Sequence, residues 1–185
     1  MFAVLLQEKV ASLLSINSLR QDLSASHEAV DRWVRILENL YYCFRIRPFA
    51  AKKIKALKKD QKLYLWDWYL CRDPGSRFEN LVASNLLKYC HYREDTLGDD
   101  MELCFLRDSY KHEVGFVVLR DGEPLFAVEC KTGAKAVSKH LAYFSERTEI
   151  PCLYQVYLGK DDYEVVRLRA RVMPFTLFAA EVIGC

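Results

Sequence analysis

Two charged residues in the second half of the chain have the spacing expected of a phosphodiester-cleaving site. Glu129 and Lys131 lie two positions apart in a predicted strand, so their side chains share one face and Cys130 lies on the other. Carboxylate oxygens bind Mg²⁺, and an adjacent ammonium orients or activates the attacking water. With Glu79 on a predicted helix, these residues have the layout of a metal-dependent phosphodiesterase. The same spacing also fits an ordinary ion pair on a half-exposed strand.

The elements that position these residues are predicted to follow the order α-β-β-β-α-β. Ser76 is a candidate cap for a helix over about 77–90, and Asp121-Gly122 predicts a tight hairpin turn. Strands are predicted over 102–107, 113–119, 125–131 and 151–158, with a helix over 134–146 between the last two. Alternating residues predict a further strand over 163–172, with Val166, Leu168, Ala170 and Val172 on one face, and a final helix over 174–183.

The first 68 residues predict a different arrangement, three helices followed by a ribbon. The helices are expected over 1–14, 18–23 and about 27–39, and Ser26 is a candidate cap for the third. Two aromatic-rich strands, 41–47 and 62–68, complete the pattern. Three helices and a β-ribbon indicate a winged helix, so two domains are predicted, 1–68 and 69–185.

Basic residues are concentrated in this first module. Up to Lys62 there are 12 basic and six acidic residues, against 15 and 19 in the remainder. The predicted nucleic-acid-binding residues are Arg32, Arg35, Arg45, Arg47, Lys52, Lys53, Lys55, Lys58, Lys59 and Lys62. They would contact phosphates of DNA or RNA. Glu28 and Asp31 on the third helix argue against base-specific recognition, and the alternative is a packing module with a solvated basic wing.

The cysteine spacing and the apolar segments argue against a disulfide-rich, zinc-binding, secreted or membrane-spanning protein. The 185 residues include seven cysteines with no C-x-x-C pair, which indicates neither a disulfide framework nor a zinc site and favours a reduced, cytoplasmic protein. The apolar start is interrupted by Gln7, Glu8 and Lys9, so it does not fit a secretory signal. No apolar run approaches the roughly 20 residues of a membrane span, and no membrane partner is expected.

Four ordered segments resemble one family of proteins. They are Lys62-Leu63-Tyr64-Leu65-Trp66-Asp67, Arg77-Phe78-Glu79-Asn80-Leu81-Val82, Glu113-Val114-Gly115-Phe116-Val117 and Glu129-Cys130-Lys131. They are similar to the C-terminal region of prokaryotic AAA-type ATPases, described as domain of unknown function 4143, and the first 62 residues resemble the winged helix that precedes it. The resemblance implies a winged helix joined to a PD-(D/E)XK, restriction-endonuclease-like core, an α/β (α+β) fold.

The chain departs from that family in two ways. An ATPase module usually lies upstream, but no G-x-x-x-x-G-K-[ST] motif exists here. We therefore expect a detached or truncated member, or a fragment of a longer protein. For a detached member, the expected partner is an ATPase module on a separate chain. The resemblance also places an Asp, the central metal ligand, where this chain has Gly115. Glu113 lies two residues earlier, and Val114, Phe116 and Val118 are predicted to face away from both.

Two hypotheses follow. The first is a non-catalytic module that binds nucleic acid or protein and keeps a degraded nuclease-like site. The second is a nuclease that uses Mg²⁺ or Mn²⁺, in which Glu79, Glu129 and Lys131 form the catalytic site and Glu113 and Glu129 hold the metal. Gly115 supplies no ligand oxygen, which favours the first hypothesis, and retention of Glu129 and Lys131 supports the second.

Overall fold

A computed structural model describes residues 2–49, 61–133 and 136–184 of the chain. Three helices come first, α1 (Phe2–Gln7), α2 (Ile16–Leu23) and α3 (His27–Asn39). Ser26 caps α3 as predicted, because its hydroxyl accepts a hydrogen bond from the Ala29 N–H at 3.2 Å. The first helix is seven residues shorter at its C-terminal end than the predicted end at Leu14.

The segment after α1 leaves the helical path because it lies along the edge of a strand. Strand β1 (Cys43–Pro48) pairs antiparallel with β2 (Lys62–Leu65), as the ribbon pattern predicts. On the free side of β2, the Ala11 N–H donates to the Leu63 carbonyl at 2.9 Å, and the Leu14 N–H donates to Gln61 at 2.8 Å. These bonds satisfy strand-edge groups that a longer first helix would leave exposed.

The ribbon is continuous with one mixed sheet. Further strands are β3 (Met101–Arg107), β4 (Glu113–Arg120), β5 (Glu123–Lys131), β6 (Cys152–Tyr157), β7 (Tyr163–Val165) and β8 (Ala170–Pro174). The order across the eight-stranded sheet is β2-β1-β3-β4-β5-β6-β8-β7. β1 runs parallel to β3, and β6 lies parallel between β5 and β8. Asp121 and Gly122 join β4 to β5 with φ of 53° and 79°, the conformation that an Asp-Gly hairpin turn requires.

Helices cover both faces of this sheet. On one face, α4 (Pro74–Leu97) and α6 (Phe175–Glu181) share a buried cluster with Phe116 and Val128. On the other face, α5 (Lys139–Ser145) packs through Leu141 and Phe144 against Val117 and Ala127. The architecture is therefore mixed α/β with an eight-stranded sheet and six α-helices among the described residues.

The predicted alternation along β4 is wrong at one point. Cys104 pairs with Val117 but Leu106 pairs with Val114, so three steps along β4 match two along β3. Val114 lies on the α5 face, away from the Glu113 carboxylate, as predicted. Phe116 and Val118 pack on the α4 face, the side on which Glu113 meets Lys62, so their predicted orientation is wrong. A β-bulge inserts one residue and inverts the alternation beyond it, and single-strand periodicity does not reveal its position.

Three other element boundaries also differ from their predictions. The start of α4 is capped by Asp73, whose carboxylate accepts from the Ser76 N–H at 2.7 Å, and Pro74 occupies the first turn. α5 begins at Lys139, after the cap Ser138, rather than at 134. The predicted strand over 163–172 is two strands, β7 and β8, separated by a turn of 3₁₀ helix at Val166–Leu168. Val166 is 82% exposed there, so its predicted place on the apolar face is wrong.

Candidate active site

Lys62 lies at the centre of the candidate site. Its side chain, on β2, is buried, and its Nζ lies 3.1 Å from Oε1 of Glu79 on α4 and 2.6 Å from Oε1 of Glu113 on β4. The Tyr64 hydroxyl donates to the same Glu79 oxygen at 2.8 Å. One helical carboxylate thus receives two donors from a single short strand.

Glu113 is held by two further contacts. Its second carboxylate oxygen lies 2.7 Å from Nη1 of Arg107, across the β3–β4 pair. Its backbone N–H donates to Nδ1 of His140 at 2.9 Å, which ties the start of β4 to α5. Both oxygens of this carboxylate therefore already have cationic partners.

Glu129 and Lys131 are neighbours, as the two-residue spacing predicts. Lys131 Nζ lies 2.7 Å from Oε1 of Glu129, and Glu129 Oε2 accepts a hydrogen bond from the Gly115 N–H at 3.3 Å. A Cβ built on Gly115 would lie 3.9 Å from Oε1 of Glu79. Gly115 is therefore close to both residues, but Glu129 and Lys131 extend from the α5 face of β5, the face of Ala127, whereas Glu79 lies on the α4 side of the sheet.

Charges within this carboxylate cluster cancel. Its three carboxylates, Glu79, Glu113 and Glu129, are matched by the three cations Lys62, Arg107 and Lys131. A divalent ion added to this arrangement would leave two uncompensated positive charges in a partly buried site. Within residues 2–49, 61–133 and 136–184, no group of three His, Cys, Asp or Glu side chains is placed to hold a metal. The residues present therefore do not fit a bound Mg²⁺ or Mn²⁺.

Burial and neighbouring charges set the protonation states around Lys62. Burial by itself lowers the pKa of Lys62, but the Glu79 and Glu113 carboxylates outweigh it and the pKa is raised. Burial, reinforced by Glu79, raises the pKa of Tyr64 well above its usual value, so its hydroxyl keeps the proton that it donates. Burial likewise raises the pKa of Cys130, on the opposite face of β5 from Glu129, well above its usual value. Its thiol stays protonated and is a poor nucleophile.

The predicted nucleic-acid-binding residues divide into four groups. Lys52, Lys53, Lys55, Lys58 and Lys59 lie outside the described residues. Arg32 and Arg35 are exposed on α3, and Arg35 lies 2.6 Å from Asp31 one turn away. Arg45 is bonded to Glu38 at 2.6 Å, and Arg47 pairs with Glu102. Lys62 is a correction: its side chain is buried against two carboxylates, so it is not available to phosphates.

The sequence did not predict that Lys62, Tyr64 and Arg107 contact these carboxylates. Lys62 and Tyr64 precede the nearest glutamate by 15 residues or more, and Arg107 lies six residues before its partner. The available signal was alternation along β2, which puts Lys62 and Tyr64 on one face. A lysine at the end of a basic run is nevertheless expected to be exposed to solvent. The burial of Lys62 follows only from the packing of α4 onto the β1–β2 ribbon.

Residues 74–178, more than half of the chain, match a family model described as domain of unknown function (DUF4143). The chain belongs to this family. The resemblance to domain of unknown function 4143 is confirmed over these residues, which include three of the four ordered segments, whereas Lys62–Asp67 lies outside them. Residues 1–72 match a second family model, described as domain of unknown function (DUF8612). The curated proteins contained no match to the chain, and the solved structures contained none either. Among the described residues, no helix has the length and apolar character needed to cross a membrane.

Proposed function

We propose that this DUF4143 protein is a non-catalytic module that binds nucleic acid or protein and carries a degraded nuclease-like site. One observation carries the proposal: each carboxylate of the cluster is already bonded to a cation of the chain itself. Cleavage by a metal-dependent nuclease requires carboxylate oxygens that are free to hold the ion and a water that the ion activates. Gly115, where the resemblance implies an Asp, removes a further ligand.

The proposed domains are a winged helix over residues 1–68 and a PD-(D/E)XK nuclease-like unit over 69–185. Three helices followed by the β1–β2 ribbon support the first. The order α4, β3, β4, β5, α5, β6 supports the second, because it repeats the α-β-β-β-α-β order of a restriction-endonuclease-like core. In this proposal the second unit is a scaffold whose acidic positions have lost their metal.

Nucleic-acid binding is assigned to the segment that joins β1 to β2. The two strands that flank this segment in the sequence pair antiparallel at one end of the sheet order. The predicted binding lysines other than Lys62 belong to this connection. Backbone contact by such a segment is independent of base sequence and depends on salt.

The ATPase association is a second element of the proposal. The resemblance implies an ATPase module, and the chain contains no phosphate-binding loop of its own. We therefore propose that an ATPase module on a separate chain is its protein partner, in the reducing cytoplasm. Co-purification of this chain with the ATPase chain would test this association, and failure of the two chains to co-purify would contradict it.

The alternative function is a nuclease that uses Mg²⁺, with Glu79, Glu113, Glu129 and Lys131 as its site. The hydrogen bond from Gly115 to Glu129 and the short distance from Gly115 to Glu79 support this alternative. It would require the Lys62 and Arg107 ion pairs to open so that Glu113 could bind an ion.

Plasmid cleavage separates the two functions. We expect the wild-type protein to nick supercoiled DNA no faster than buffer, with either Mg²⁺ or Mn²⁺. Lys131→Ala should therefore leave the background unchanged, as should the matched control Lys88→Ala on the exposed side of α4. Nicking by the wild type that disappears in Lys131→Ala and persists in Lys88→Ala would establish the nuclease instead.

A further inference from the structure

Lys62 joins two parts of the chain that match different families. It belongs to residues 1–72, whereas Glu79 and Glu113 belong to residues 74–178. Its Nζ is 3.1 Å from one carboxylate and 2.6 Å from the other. The ammonium thus connects β2 to both α4 and β4.

The surroundings of this ammonium are closed rather than solvated. The Lys62 side chain is 3% exposed, and its Nζ lies 5.7 Å from the centre of the Phe105 ring. Tyr64, on the same strand, is fully buried and donates to the oxygen of Glu79 that Lys62 contacts. A buried ion pair is stable only when geometry and added hydrogen bonds offset the loss of hydration, and both conditions are met here.

We propose that the Lys62 ammonium is a tethered cation that takes the place of a divalent metal ion between Glu79 and Glu113 and thereby fastens the N-terminal segment to the α/β sheet. The proposal rests on the proposed non-catalytic function. A metal ion exchanges with solvent, whereas an ammonium on β2 is present whenever the chain is folded. The acidic positions of the degraded site then serve as a junction between the two family-matched regions.

The direct test replaces Lys62 by Met, which keeps the unbranched chain up to the ε position and removes the charged ammonium. Because Glu79 and Glu113 then lose the cation that lies between them, we expect the melting temperature to fall by roughly 10 °C. Millimolar Mn²⁺ should raise the melting temperature of Lys62→Met, since an ion can now bind between Glu79 and Glu113. The wild-type melting temperature should not respond to Mn²⁺, and neither should that of the control Lys88→Met.

A second variant keeps the test decisive if Lys62→Met fails to fold. Combining Lys62→Met with Glu79→Gln and Glu113→Gln removes all three charges, so we expect it to melt closer to the wild type than Lys62→Met does. It should also lose the response to Mn²⁺. A triple variant that is less stable than Lys62→Met would show that charge compensation is not the role of Lys62.

Other results would overturn the proposal as well. Equal melting temperatures for Lys62→Met and Lys88→Met would refute the junction, and a destabilised Lys62→Met that Mn²⁺ does not restore would refute the replacement of a metal. A wild-type protein stabilised by Mn²⁺ as strongly as Lys62→Met would refute it too. These outcomes are distinct from plasmid nicking, which tests the non-catalytic function itself.

Discussion

The side chain of Asn80 binds both backbone groups of Leu65. Its Oδ1 accepts from the Leu65 N–H at 2.8 Å, and its Nδ2 donates to the Leu65 carbonyl at 2.6 Å. Asn80 is fully buried on α4, and its amide takes the place of a neighbouring strand's peptide group on the free edge of β2. One turn of α4 thus supplies both Glu79 for Lys62 and Asn80 for Leu65.

Removing the Asn80 amide should destabilise the protein. In Asn80→Ala, the buried Leu65 N–H loses its partner, at a cost of about 1–3 kcal/mol, and the Leu65 carbonyl keeps only the longer bond from the Ser84 hydroxyl, at 3.4 Å. The measurement is the free energy of unfolding from urea titration. Asn85→Ala is the matched control, because the amide of Asn85 donates only to the Leu81 carbonyl of its own helix. Equal losses in the two variants would contradict this role of Asn80.

Gly115 offers a test of the charge balance in the cluster. A Cβ at this position meets the Val128 carbonyl oxygen at 3.4 Å and Glu79 at 3.9 Å, which are ordinary contacts, so Gly115→Ala should be tolerated. Gly115→Asp adds a fourth carboxylate against three cations and should lower stability by roughly 1–3 kcal/mol relative to the uncharged Gly115→Asn. Mn²⁺ should restore part of the loss in the Asp variant alone. An identical response of the Asp and Asn variants would rule out this electrostatic account.

Reversing the charge of the basic connection should abolish nucleic-acid binding. The variant changes Lys52, Lys53, Lys55, Lys58 and Lys59 to Glu. If about five phosphate contacts are made, wild-type affinity should fall roughly 500-fold between about 50 and about 200 mM salt, measured by fluorescence anisotropy with an arbitrary DNA duplex. The control reverses four exposed lysines elsewhere, Lys88, Lys111, Lys139 and Lys160, and should bind as the wild type does. Undiminished DNA binding by the variant with five glutamates would show that these lysines do not form the binding site.

The turn between β3 and β4 contains a buried carboxylate that predicts a pH effect. Asp108 is 4% exposed and accepts from the backbone N–H groups of Tyr110 and His112, each at 2.9 Å. Burial by itself raises the pKa of Asp108, but hydrogen bonds from the side chains of His112 and Tyr143 outweigh it, and the pKa is lowered.

A lowered pKa in the folded state fixes the sign of this effect. The stabilisation from Asp108 is fully present above the unfolded-state pKa of about 3.9 and is lost as the pH falls through the folded-state value. Asp108→Asn should be less stable than the wild type at neutral pH, and the difference should shrink in acid. This difference in the free energy of unfolding is measured by urea titration at a series of pH values, with the exposed Asp95→Asn as control. A difference that is constant with pH would contradict the assignment.

The order of elements was predictable because local signals agree with the final packing. Ser26 caps a periodic helix, and Asp121-Gly122 adopts the two positive φ angles that a tight hairpin needs. The proximity of Glu129 and Lys131 follows from strand alternation alone. These features depend on residues within a few positions of each other.

The remaining features depend on distant parts of the chain. The irregular pairing of β4 with β3 puts Val114 and Phe116 on opposite faces of the sheet, and no property of β4 by itself reveals where this irregularity occurs. Likewise, Lys62 is the last lysine of a basic run, and its burial follows from α4 packing over β2. Lys62 and Glu113 are 51 positions apart in the sequence, so their ion pair can be recognised only in the folded structure.

Anomalous X-ray diffraction from crystals grown with Mn²⁺ tests most directly whether the cluster is neutralised by the chain's own cations. We predict no manganese peak among Glu79, Glu113 and Glu129, with the Lys62 Nζ in contact with Glu79 and Glu113 as at 3.1 and 2.6 Å here. A manganese ion bound by Glu113 and Glu129, with Lys62 turned away from both of its carboxylates, would contradict the account.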